Sequence, residues 1–222
     1  TDSCYGCTDP TATNYDPTAT IDDGSCQYSN DSININILTD CFGTISNVSY
    51  LGDTNQIAEY SGYNFLGLDS GIVLSTGDVN GLNSLNTNLI NNPYTDNDLL
   101  SIANSVPPLI GQSFSVSSIN DAAIIEFDFI PTTDTLNFGF IFASDEYLSY
   151  INSSYNDAFG LFLSGPGING PYSNNAINLA YVPNSNPQLP ITVSSVNNVL
   201  NSGYYIDNPS NININANGYT TP

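Results

Sequence analysis

Between Cys7 and Cys26 the sequence reads CTDPTATNYDPTATIDDGSC, which sets five oxygen-bearing side chains, Asp9, Asn14, Asp16, Asp22 and Asp23, inside one cysteine-bounded loop. Calcium takes six to eight oxygen ligands, and carboxylates and carboxamides one or two residues apart, with glycine at the tight turns, suit it. The NYDP and DDG segments supply two such clusters. The strict EF-hand run closed by a glutamate is absent. A second set, Asp145, Glu146, Asn156 and Asp157, lies at the two ends of SDEYLSYINSSYND. A calcium ion there would tie the loop's ends together. Each set also has a plainer reading. Asp-Pro and Asp-Gly favour turns, so Asp9 and Asp16 are equally Asx-cap candidates, as are Asp69 and Asp78 beside GIVLS. Asp157 could cap a strand, with Asp145 and Glu146 simply solvated.

Composition sharpens this choice. The 222 residues include 21 Asp and Glu but no Lys, Arg or His, giving a net charge of −21. No salt bridge between side chains can form, and nucleic acid and anionic membrane surfaces are repelled. Nucleophiles activated by histidine, Schiff-base lysines and His-ligated zinc are excluded. Glycosidase chemistry needs two carboxyl groups held a few ångströms apart. The only glutamates are Glu59, Glu126 and Glu146, nothing in the sequence pairs them, and there is no Trp for sugar stacking. The expectation is therefore a protein without catalysis, with Ca2+ as its cofactor. No run of about eighteen apolar residues occurs, so direct membrane insertion by a helix is not expected. The chain starts without Met and shows no signal-peptide pattern, as in a mature product or a piece of something longer.

Four cysteines, Cys4, Cys7, Cys26 and Cys41, all fall in the first fifth of the chain. An even count in an acidic, Asn- and Thr-rich setting points to disulfides in an oxidising compartment rather than to zinc. Of the three possible pairings, Cys7 with Cys26 closes the acidic loop and leaves Cys4 with Cys41.

The elements that would position these groups change character at Ser32. SININIL, ISNVSYL, AAIIEFDFI and TLNFGFIFA alternate apolar and polar residues with the period of a half-buried strand. In the third, Ile125, Phe127 and Phe129 share one face, with Glu126 and Asp128 on the other. Pro131 to Asp134 is a natural turn joining it to the fourth. DAFGLFLS, AINLAYV, ITVSSV and NINI continue the series, which reads as an all-β fold, a jelly-roll-like β-sandwich. One short helix is expected over 96–105, DNDLLSIANS, of two or three turns. Two long loops, 81–97 and 144–156, stand out as functional candidates. In the second, Tyr147, Tyr150 and Tyr155 offer apolar faces and hydrogen-bonding tips to a partner, or pack within the loop.

Residues 6–26 resemble the short cysteine-bounded repeats of secreted marine-bacterial proteins, which are in turn similar to thrombospondin type 3 calcium repeats. The resemblance makes TDSC look like the tail of a preceding repeat. On that reading the natural partner of Cys4 lies upstream, with Cys41 as its substitute or both thiols free. Three further blocks, GLDSGIVLSTGDV, the stretch from Asp121 to Tyr147, and the stretch from Tyr155 to Pro183, resemble the choice-of-anchor L domain of secreted surface proteins, notably of Bacteroidetes. Members usually continue past the position of Pro222, so the resemblance implies further strands there. The triplets DSI and DTL are similar to Bacteroidetes O-glycosylation sites and mark Ser32 and Thr135. Asn30, Asn47 and Asn152 head N-x-S/T sequons, which matter where asparagine is glycosylated.

These readings give two units, an acidic calcium-repeat-like module over 1–28 and a β-sandwich over 29–222. Together they form an extracellular, cell-surface segment that is calcium-stabilised and structural or adhesive. Its partners would be other surface-protein subunits or extracellular glycans. The reading from a different class is a carbohydrate-binding module of a secreted polysaccharide-degrading protein.

Overall fold

Alternation along Ile124 to Ile130 is the clearest case of sequence setting local structure. Glu126 and Asp128 are exposed while Ile125, Phe127 and Phe129 are half-buried. In the computed structural model of the chain, which describes residues 4–6, 8, 15–22, 42–61, 67–68, 70–79, 90–208 and 216–221, this stretch is a strand. The elements are β1 (Tyr5–Gly6), β2 (Ile21–Asp22), β3 (Thr44–Leu51), β4 (Ile57–Ser61), β5 (Ser70–Leu74), α1 (Asn97–Leu109), β6 (Ile124–Ile130), β7 (Ala143–Ser144), β8 (Phe162–Leu163), β9 (Ile177–Asn178), β10 (Tyr205–Asp207) and β11 (Gly218–Thr220). The described chain is thus strands with one helix, as the sequence pattern implies. The expected strands SININIL and NINI, most of the loop 81–97 and Asp69 lie outside the described residues.

Antiparallel ladders join β3 to β6, β4 to β5, β8 to β9, and β10 through β11 to β7, while β1 and β2 pair in parallel. Between Ser46 and Ser49 the β3–β6 register shifts. Asn47 sits in that bulge at φ 52°, a left-handed conformation that asparagine tolerates, and its amide donates to Asp128 Oδ2 at 2.6 Å.

The hairpin expected from Pro131–Asp134 does not form. Residues 135–142 keep the alternating burial of a strand, yet the ladder is made only at Ala143–Ser144, against β11. Thr220 extends that contact, its N–H donating to Phe142 O at 2.8 Å. The partner is some eighty residues away in sequence, not the neighbouring strand.

Helix α1 begins where the sequence places it. Asp96 is the N-cap, accepting from Leu99 N–H at 2.6 Å, and Asp98 lies in the first turn, where carboxylates are stabilised by the helix dipole. The helix runs past Ser105 to Leu109 and carries Pro107 and Pro108 inside it. Ile102, Ala103 and Val106 are fully buried. The main core gathers Phe142, Tyr147, Ala180, Val182, Leu189, Ile191, Val193 and Val196. A smaller cluster forms around Tyr50 and Ile57.

Candidate functional site

At the amino-terminal turn, only Asp16 of the five expected calcium ligands has a described side chain. Asp22 lies in β2 without one, and Asp9, Asn14 and Asp23 fall outside the described residues. Asp16 Oδ1 accepts from both the backbone N–H of Thr18, at 2.8 Å, and its hydroxyl, at 2.6 Å. These bonds hold its carboxyl below the usual carboxylate range. That is the Asx-cap geometry, and it leaves Oδ2 against Gly6, where a Cβ would stand 3.3 Å away. Cys4 is a free thiol, its sulfur 3.8 Å from Thr18 Oγ1. Cys41, the partner expected for Cys4, is not among the described residues. Cys7 and Cys26 also lie outside them, as does Ser32. Thr135 is exposed in the loop after β6 and its carbonyl accepts from Thr133 Oγ1.

The second acidic set is described in full. It grows from the end of β7, where Ser144 Oγ accepts from Glu146 N–H at 2.9 Å and donates to Asp157 Oδ2 at 2.6 Å. One hydroxyl thus links the two ends of the loop. The Asn217 amide donates to the Asp145 carbonyl at 2.6 Å, and Tyr150 N–H closes a turn onto the Glu146 carbonyl at 3.0 Å. Burial pushes the carboxyl groups of Asp145, Glu146 and Asp157 upward, and mutual repulsion adds to it: Asp157 and Asp145 act on Glu146, and Asp145 acts on Asp157. A backbone hydrogen bond from Asn217 opposes the rise at Asp145, and the Ser144 bond opposes it at Asp157. Asp157 is hemmed in by protein yet keeps solvent-accessible area, so water screens part of its rise.

Two atoms here lack partners. Glu146 Oε2 and the Tyr147 hydroxyl are buried without a hydrogen bond. Burying an acceptor or hydroxyl unpaired costs roughly 1–3 kcal/mol, so their adjacency in sequence singles out this loop. Tyr147 is only 2% exposed, packed against Phe142 and Tyr205 with ring centroids 6.3 and 4.9 Å away. It belongs to the core and cannot meet a partner with its ring face. Its hydroxyl is pushed up by burial first, then by Tyr205 and Asp157. Tyr150 and Tyr155 are the exposed members of the expected trio, at 45% and 62%, and meet edge-to-face at 5.1 Å.

Asn156 does not join the acids. Its amide donates to Ala103 O at 3.0 Å and accepts from Ser194 N–H at 3.1 Å. The reason lies in α1: Pro107 has no N–H to give the carbonyl four residues earlier, and Asn156 supplies the missing donor. Among the described residues no three Asp, Glu, Cys or His side chains gather as a metal site requires. The expected four-residue calcium set therefore does not converge on one point. Sequence reasoning passed over Ser144, whose hydroxyl ties the loop together; its place beside an acidic pair at a strand end is the only signal it gives.

An apolar cleft of about 220 Å³ is lined by Phe138, Phe140, Tyr181, Ile191, Val196 and Tyr204 among others, with no carboxylate in its lining. Among the described residues no helix is long and apolar enough to cross a membrane.

Compared with known proteins, residues 20–222 match the family model of the choice-of-anchor L domain. No curated protein and no solved structure matches.

Proposed function

The chain belongs to the choice-of-anchor L family, a cell-surface segment of a larger protein, and from that premise we propose that it is a structural or adhesive unit, stabilised by calcium and without catalysis. Choice-of-anchor domains are generally non-catalytic surface domains. The observation that carries the finer reading is the complete lack of Lys, Arg and His beside 21 acidic residues. Close carboxylates need a counter-charge or a proton, and a divalent cation outside the cell provides one. Asp9, Asn14, Asp16, Asp22 and Asp23 are the residues proposed to hold it, within a loop closed by Cys7 and Cys26, and Ser32 and Thr135 are proposed as glycan attachment points. Asp16 fits such a role with its second oxygen, since Oδ1 is already committed to Thr18.

Thermal unfolding tests this reading. Calcium at about a hundred times its Kd stabilises the folded state by about 2.7 kcal/mol, which raises Tm by roughly 5–10 °C for a chain of this size. The rise should vanish with chelator and in Asp22→Asn/Asp23→Asn. Equal melting temperatures with calcium and with chelator would sink it. Calcium-dependent clumping of beads coated with the chain tests adhesion separately. Saturable, calcium-dependent binding on a glycan array would favour the carbohydrate-binding alternative, for which the exposed Tyr150–Tyr155 pair speaks.

A further inference from the structure

We propose that the extended stretch from Thr135 to Ile141 is an open sheet edge that takes a β-strand from another protein, a strand that alternates apolar and polar residues and carries a lysine or arginine. This deepens the adhesive reading by naming how a partner is held, and rests on that reading only for the setting in which the partner is met.

Three observations carry it, and the first is the main chain. β7 pairs with β11 in antiparallel register, and Thr220 N–H reaches Phe142 O at 2.8 Å. There the ladder stops, and the residue after Thr221, Pro222, has no N–H with which to extend it. In an antiparallel pair every second residue turns its N–H and C=O toward the same partner. Phe140, Phe138 and Leu136 therefore present theirs along the edge that β11 has begun to cover. Among the described residues, the backbone from Leu136 to Ile141 makes no hydrogen bond. An extended backbone left open in this way is completed by another extended backbone.

The second observation is the cleft beside that edge. Side chains directly opposite one another in an antiparallel pair share a face, so a residue set against Phe138 or Phe140 points inward as these half-buried rings do. The apolar cleft of about 220 Å³ is there, lined by Phe138 and Phe140, by Thr220 and Thr221 where β11 ends, and by Ile191 and Val196 of the core. An apolar side chain of the added strand fills it. The intervening residues of that strand lie against Thr135, Asn137 and Gly139, all exposed, and are polar. Main-chain bonds then supply affinity and the cleft supplies specificity. The third observation is charge. Asp134 is exposed at the open end of the stretch, in a chain of net charge −21 that has no lysine or arginine. A second copy would bring the same sign and no cation, so the occupant is a different protein. Continuing the antiparallel ladder of β11 sets the carboxyl end of its strand beside Asp134, which is where the positive residue belongs.

The test is amide hydrogen exchange of the full chain, followed by NMR in chelator at low salt, without and with the blocked peptide Thr-Ile-Thr-Ile-Thr-Ile-Thr-Lys. Alone, the chain should exchange the amides of Leu136, Phe138 and Phe140 freely. The peptide at about ten times its Kd should slow them roughly tenfold and leave the amides of β6 unchanged. N-methylation of the central isoleucine removes a ladder donor and should weaken binding by about tenfold. Glutamate in place of the terminal lysine should weaken it about fivefold, and Asp134→Asn should shrink that difference to about twofold. The proposal is overturned if the three amides are already protected in the chain alone, which would mean that the chain covers its own edge. Protection that grows with protein concentration and no peptide overturns it as well, in favour of a second copy. It is equally overturned if the N-methylated peptide binds as well as its parent, if the glutamate-ended peptide binds as tightly as the lysine-ended one, or if no amide slows. Neither the calcium melting experiment nor the bead experiment shares these readouts, so the two readings fail separately.

Discussion

Two neighbouring regions bury polar groups in opposite ways. In the stretch from Pro190 to Leu200, Thr192, Ser194 and Ser195 are fully buried and Asn197 is 2% exposed, and all of them are hydrogen-bonded. Ser195 Oγ donates to Pro190 O at 2.6 Å, while the Asn197 amide donates to Val193 O and Ser194 O and accepts from Val199 and Leu200 N–H. Tied to it by the bonds from Asn152 N–H to Ser194 Oγ and from Ser194 N–H to Asn156, the 144–157 loop holds crowded carboxyl groups and two orphaned atoms. The difference follows from donor supply. Hydroxyls and carboxamides both donate and accept, whereas ionised carboxylates only accept. A polypeptide without Lys, Arg or His can bury the former self-sufficiently and must leave the latter short of donors. Asn156 stands at the border, adjacent in sequence to Asp157 but wired into the satisfied side.

The largest effect should come from breaking that border residue. Asn156→Leu removes the donor from Ala103 O and the acceptor from Ser194 N–H, both buried. Leaving two buried backbone groups unpaired should cost about 3 kcal/mol. Urea unfolding should show this as a lower midpoint at unchanged slope. A loss below about 1 kcal/mol would mean that Asn156 is not the structural tie its bonds indicate.

The next effect sharpens the contrast from the acidic side, through pH in metal-free protein. The folded-state values of Asp145, Glu146 and Asp157 are raised, so the native state binds protons more readily than the unfolded chain. Their favourable contribution is complete below the unfolded carboxyl range, near about pH 4, and is lost as pH rises through the higher folded values. Asp16, whose value is lowered, has the opposite sign. The variant Asp145→Asn/Glu146→Gln/Asp157→Asn should therefore gain on the native chain as pH rises from 4 to 7. After allowance for screening the gain is on the order of 1 kcal/mol. A difference in Tm that stays constant with pH would show that the loop's carboxyl groups are not perturbed.

How far these contrasts could be read in advance depends on the range of the interaction. The start of α1 was legible because Asp96 and the apolar Leu99, Leu100, Ile102 and Ala103 lie within a few residues of one another. β6 was legible because alternation is local. The ladder for 135–142 was not: period two shows that a chain is extended, not which strand completes it, and the partner is β11. Asn156 was misread for a related reason. The carbonyl it serves is orphaned by Pro107, fifty residues upstream, and only the Pro-Pro pair inside a helical pattern hints at an acceptor seeking a donor. Asp145, Glu146 and Asp157 were legible as a set because they bracket one loop, whereas the burial of Tyr147 follows no periodicity and emerges only when Tyr205 packs against it. Tyr205 itself is pushed up to about 12, by burial and by its bond to Asp207.

The smallest effect bears most directly on what an orphaned group means. Tyr147→Phe keeps the ring between Phe142 and Tyr205 and deletes only the hydroxyl that has no partner. Where a buried tyrosine hydroxyl is bonded, its removal costs about 1 kcal/mol; here desolvation was never compensated, so the phenylalanine variant should equal the native chain or exceed it by about 0.5 kcal/mol. A stability loss of about 1 kcal/mol or more would instead place the hydroxyl among the satisfied groups, and the distinction between the two regions would shrink to Glu146 alone.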